Sequence, residues 1–160
     1  MSWIKDEAKK NIEKESKESA RNELIARSNF WGRLLRQVDA DVKEINEDDH
    51  WRKKLGESTV RVSETSGRAG YLVMAGDLDV LVFIENKGDY LVIEREFTNS
   101  PIEDQFLLCE KLSVDTSGNN VILISQNARR FVVPEEASQY ILKAVIESLK
   151  IARPQGNLRG

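Results

Sequence analysis

The sequence predicts an α+β protein: a long N-terminal helical arm, an antiparallel meander of about four strands, then a helix, two short strands and a C-terminal helix packed on the sheet. Three observations predict it. Gly70 to Phe97 holds three short apolar runs, rich in β-branched and aromatic residues and punctuated by Gly76 and by Asn86-Lys87-Gly88, the pattern of tightly joined strands. Lys5 to Glu23 alternates charge signs around scattered Ala and Ile, as a solvated helix does. Pro134-Glu135-Glu136 opens a stretch with Ala137, Tyr140, Ile141, Ala144, Val145 and Leu149 on one face, with its acids where the helix dipole favours them. The expected organisation is an arm over 1–50, a sheet domain over 56–152 and a disordered tail over 153–160.

Within the arm, Asp6/Lys10 and Glu13/Lys17 stand in the favourable i,i+4 order. Apolar residues there are too sparse for deep packing. From Leu24 the pattern changes: Leu24, Ser28, Trp31, Leu35, Val38, Val42 and Ile45 follow alternating 4-3 spacing, widened by Phe30 and Leu34. That is a seam for another helix or for the sheet, and Phe30, Trp31, Leu35, Val38 and Val42 are its candidate interaction residues. Ser28-Asn29 and Gly32 leave open whether the arm is one helix or two. Glu47 to Glu57 is polar and reads as a link into the sheet domain.

Ser58 to Glu64 alternates as a half-buried first strand, and Thr65 to Gly70 is a loop by composition. Glu85-Asn86-Lys87-Gly88 suits a three-residue hairpin with a bulge. That loop sets Leu81 opposite Ile93, Phe83 opposite Leu91 and Asp79 opposite Arg95. Both faces of the hairpin are then apolar near its turn and need cover. Ser100-Pro101-Ile102-Glu103 has the form of a capping box, and Ile102, Phe106, Cys109 and Leu112 share a helical face, so a helix is expected over 101–112. Val121 to Ile124 and Phe131 to Val133 are strands.

The resulting order, α-β-β-β-β-α-β-β-α, is similar to the secretion-chaperone fold of bacteria, in topology alone. With 104–116 as a strand instead, the order would approach a pleckstrin-homology barrel and its closing helix; the capping box favours the helix.

Composition narrows the function classes. No apolar run approaches the roughly 20 residues of a membrane helix, and the start lacks the apolar middle of a secretory signal, so a cytoplasmic location is expected. The single Cys109 allows no internal disulfide. Net charge is −3, and residues 58–160 carry 11 Lys/Arg against 14 Asp/Glu while residues 1–57 are balanced at 13 each. Nucleic acid is therefore not the expected partner, because phosphate binding needs a concentrated positive face.

Catalytic signals are weak. One histidine, His50, cannot build a multi-histidine metal site, and Cys109 on an apolar helical face reads as a structural thiol rather than a nucleophile. Asp77, Asp79, Glu94 and Glu96 could hold a cation or act as an acid/base pair, but a salt-bridged strand edge explains them more simply. Arg52-Lys53-Lys54 and Arg129-Arg130 read as solvated surface before phosphate sites. Neither glycine-rich phosphate loops nor GxSxG occur. The expectation is a non-enzymatic protein-binding module, chaperone- or adaptor-like, acting through apolar sheet and helix faces as a homodimer and using no cofactor or metal. A small-ligand or lipid-binding domain is the alternative, and a carboxylate-based enzyme ranks last.

Overall fold

The computed structural model describes residues 2–64, 70–74, 80–97, 105–117 and 120–151. Its class is α+β: a long N-terminal helix, an antiparallel sheet and a C-terminal helix. Helix α1 runs unbroken over Trp3–Glu47, about 68 Å at 1.5 Å per residue. Ser28, Asn29 and Gly32 do not interrupt it. A second, short helix α2 (Asp49–Leu55) occupies the expected linker. The Asp48 carboxylate caps it, accepting from the backbone N–H groups of His50 and Trp51 at 2.9 and 3.1 Å, and Leu55 anchors it in the core.

Seven strands follow: β1 (Arg61–Glu64), β2 (Gly70–Met74), β3 (Val80–Asn86), β4 (Tyr90–Phe97), β5 (Cys109–Ser117), β6 (Asn120–Ile124) and β7 (Arg130–Phe131). Each pairs antiparallel with the next in one sheet of order β1 to β7. Helix α3 (Pro134–Ile151) closes the chain.

Two expectations are corrected here. Residues 109–117 form a strand, so the helix foreseen over 101–112 is absent from its second half; the capping box at Ser100–Glu103 lies outside the described residues. The strand keeps the meander going, and the interrupted order of the secretion-chaperone topology is not what the chain adopts. The hairpin register also differs. Val82 pairs with Arg95, Ile84 with Ile93 and Asn86 with Leu91. This register closes on a two-residue loop, Gly88-Asp89, inside a Lys87 N–H to Tyr90 carbonyl bond of 2.9 Å. Gly88 has φ +93°, the positive value that the first position of such a loop takes in a type II′ turn. The foreseen bulge would have put Arg95 on a face with Asp79. The observed pairing instead collects Val80, Val82, Ile84, Leu91 and Ile93 on one face with Leu112, Val121, Leu123 and Phe131 of the later strands.

That face is covered by both helices. Phe30, Leu34, Val38, Val42 and Ile45 of α1 are buried against it together with Ala137, Ile141, Ala144, Val145 and Leu149 of α3. Their burial at about 1.5–3 kcal/mol for each large side chain is the main stabilising contribution of α1. Polar contacts fix the orientation. Ser138 Oγ donates to Asp41 Oδ2 at 2.6 Å, joining α3 to α1. Asn46 clamps the entry to β1, its amide donating to the Val60 carbonyl at 2.9 Å while its Oδ1 accepts from the Val60 N–H at 2.8 Å.

Candidate functional site

The arm leaves the body at Ala26, which packs against the core, and Arg27. This guanidinium donates to Asp89 Oδ1 at 2.7 Å in the β3–β4 turn and to Thr116 Oγ1 at 3.1 Å on β5. Before it, every residue from Ser2 to Ile25 is exposed, a run of helix about 35 Å long. Among its side chains are Trp3 at 73% exposure, Ile12 at 65% and Leu24 at 66%. Local bonds are few: Lys10 lies 3.8 Å from Glu7, and the Asn11 amide donates to Glu15 at 3.1 Å. Isolated helices of this length are marginal in water. This one is spared nucleation because it continues a turn already packed on the core.

Beside the root of the arm, α1 and the β6–β7 edge enclose an open groove of about 720 Å³. Arg33 and Arg36 project into it with Asn29 and Asn120, over an apolar floor that includes Phe30 and Val121. No ion pair to Arg33 or Arg36 is found among the described residues.

A polar cluster sits inside the core. Arg95 on β4 is fully buried beside Glu110 on β5, with Nη1 3.2 Å from Glu110 Oε2. The same Nη1 donates to the Leu107 carbonyl at 3.1 Å. The Tyr140 hydroxyl of α3 donates to the other oxygen, Glu110 Oε1. Burial first, then the hydrogen bond to Glu110, pushes the Tyr140 phenol up to about 12, so it stays protonated and keeps donating. The Arg95 guanidinium also lies 5.4 Å from the centre of the Phe106 ring and 5.6 Å from that of Tyr140. Its Nε and Nη2 have no hydrogen-bond partner among the described residues. The cluster joins β4, β5 and α3 as a tertiary tie, a buried ion pair with Tyr140 at its side.

The sequence-derived candidates separate. Phe30, Val38 and Val42 are buried in the chain's own core, while Trp31 and Leu35 are half-buried. The seam that packs is therefore Phe30, Leu34, Val38, Val42 and Ile45, rotated from the heptad line, and Leu24 is left outside. Cys109 is corrected too: it lies on the outer side of β5 and is exposed, because alternation along the strand turns Glu110 and Leu112 inward instead. Asp77 and Asp79 fall outside the described residues; Glu94 and Glu96 are exposed on β4. His50 stands in α2 with its ring edge-on to Trp51 at 4.7 Å. Among the described residues no three His, Cys, Asp or Glu side chains gather as a metal site, and no helix is long and apolar enough to cross a membrane. Sequence reasoning missed Arg95 and Glu110 as partners; the signal was a lone charged residue in each of two otherwise apolar inward rows.

No protein-family model, curated protein or solved structure matches this chain.

Proposed function

We propose that this protein is a non-enzymatic protein-binding module that engages its partner through the exposed half of α1. The observation that carries this reading is the length of helix from Ser2 to Ile25 that is exposed throughout and displays Trp3, Ile4, Ile12, Leu24 and Ile25. A helix in groove or helix on helix is a common recognition mode, read through anchors three and four residues apart. The body serves as the rigid mount, with Arg27 fixing the direction of the arm.

Photo-crosslinking from position 12 in living cells tests it, with position 143 on α3 as the control. A discrete adduct from position 12 that is absent from position 143 and lost in Leu24→Asp supports the reading. Identical adduct patterns from both positions would refute it. Leu24→Asp should leave thermal unfolding unchanged, because exposed substitutions move stability by less than about 0.5 kcal/mol.

The groove beside the arm favours a second reading, a small anionic ligand held by Arg33 and Arg36. A guanidinium pairs bidentately with carboxylate or phosphate. Titration with inorganic phosphate and with a dicarboxylate, each against Arg33→Ala/Arg36→Ala, separates the two readings, since neither arginine belongs to the exposed arm.

A further inference from the structure

The last edge of the sheet is left open where it meets the groove beside the arm. Strand β7 pairs with β6 at Leu123–Phe131 and Ile124–Arg130. Carried on, that register would set Val133 opposite Val121. The chain turns away instead, and the Val133 carbonyl accepts from the Ala137 N–H of α3 at 3.4 Å. Alternation along β6 fixes where Val121 faces. The Ser125 N–H donates to the Arg129 carbonyl at 2.9 Å, on the β7 side. Leu123 and Val121 present their backbone groups to that same side, since the direction repeats at every second residue. The Val121 N–H and C=O have no hydrogen-bond partner there among the described residues. An unpaired strand edge is a template for another strand.

The helix wall beside this open edge is basic. Asn29, Arg33 and Arg36 of α1 line the groove together with Asn120, Val121 and Val132. Among the described residues no carboxylate lines it, and neither arginine has an ion pair. Val121 turns its side chain inward, where it is buried in the core with Phe30 of α1. A residue paired with Val121 shares that face of the sheet, so its side chain points toward α1. Arg33 and Arg36 are about 4.5 Å apart along the helix axis. That spacing lets both guanidiniums reach one carboxylate.

We propose that the groove takes an extended acidic segment of another protein, added to β6 as an antiparallel strand in line with β7. The central residue of that segment pairs with Val121. Its N–H donates to the Val121 carbonyl and its C=O accepts from the Val121 N–H. An Asp or Glu at this residue sends its carboxylate to Arg33 and Arg36, while the residues on either side of it point to the outer face. The inference deepens the reading of the groove as an anion site and rests on it. The anion is a side chain, and main-chain bonds to the open edge hold it in register.

A library of acetylated pentapeptide amides, with glutamate at the centre and random flanking residues, is selected for binding to the full chain. Fluorescence anisotropy then measures the selected peptides. Glutamine in place of the central glutamate, or Arg33→Ala/Arg36→Ala in the protein, should weaken binding by about tenfold or more. Methylating the nitrogen of the central residue should cost about tenfold. Methylating the next nitrogen, which faces away from β6, should change affinity by less than about twofold. Both arginines are exposed, and unchanged melting of their double variant confirms that it folds. Selection of no peptide, indifference to the arginines, or equal loss from methylation at both nitrogens overturns the inference. Inorganic phosphate and a dicarboxylate separate it from the reading beneath it. If these bind the parent but not the arginine variant, and no peptide does, the groove is a small-anion site and strand addition fails alone. If they do not bind either, both readings fail.

Discussion

Replacing Glu110 by Ala tests whether the buried cluster holds β4, β5 and α3 together. Arg95 is 1% exposed at its side chain and Glu110 4%, so removing the carboxylate strands a cation that water cannot reach. Breaking a buried pair from one side costs about 3–5 kcal/mol. What remains for Arg95 is the Leu107 carbonyl at 3.1 Å and two aromatic rings. Cation–π contacts are worth about 0.5–2 kcal/mol each, which places the loss near the lower end, about 3 kcal/mol. At about 2–4 °C per kcal/mol for a chain of this size, the melting temperature falls by about 6–12 °C. Urea unfolding at constant m-value is the assay. The triple variant Arg95→Met/Glu110→Leu/Tyr140→Phe removes every charge and the orphaned hydroxyl at once. Desolvation of two ions no longer opposes folding, so it should be at least as stable as the parent. A loss below about 1 kcal/mol in Glu110→Ala, or a triple variant less stable than the single, would refute the reasoning.

The same cluster gives an alkaline dependence. The Tyr140 phenol is raised from 10.0 to about 12, so the folded state holds its proton more tightly than the unfolded chain. That contribution is complete below pH 10 and is lost as pH climbs from 10 to 12. The stability difference between parent and Tyr140→Phe should therefore shrink across that window, and a flat difference would contradict the assignment. Leu34→Ala should cost about 2–5 kcal/mol, whereas Leu24→Ala should change stability by less than about 0.5 kcal/mol; equal effects would mean the seam is wrongly placed. Cys109, exposed on β5, should react with a thiol reagent as fast in the native protein as in urea, and protection in the native state would count against the strand.

Elements were legible where one physical signal dominated. The arm, β6 and α3 each show their own periodicity, and Pro134 with two acids marks the α3 start. Register was not legible, because a shift of an odd number of residues moves a whole strand's side chains to the other face. Asn86-Lys87-Gly88-Asp89 allows more than one turn. The bulged loop suits the local turn residues, whereas the burial of Val82, Ile84, Leu91 and Ile93 on one face decides for the other register. β5 was misread for a related reason. With Glu110 turned inward and Cys109 outward, its alternation does not follow polarity, and Phe106, Cys109 and Leu112 imitate a helical face instead. The seam kept its position in sequence but not its angle, since a 4-4-4-3 run from Phe30 to Ile45 and a heptad line share Val38, Val42 and Ile45. The buried pair needed both strands to be placed correctly before Arg95 and Glu110 could meet.

The packing of α1 on α3 has a consequence for how the chain comes into being. Val42 of the first helix and Pro134 of the last are 92 positions apart in sequence, and the two helices lie together over the sheet. At about 5–20 residues per second, a ribosome takes about 5–18 s to make the intervening segment. During that interval Leu34, Val38 and Val42 can settle only on unfinished strands. The body therefore closes late, when α3 arrives, and the emerging polypeptide carries an uncovered apolar stripe for most of its synthesis.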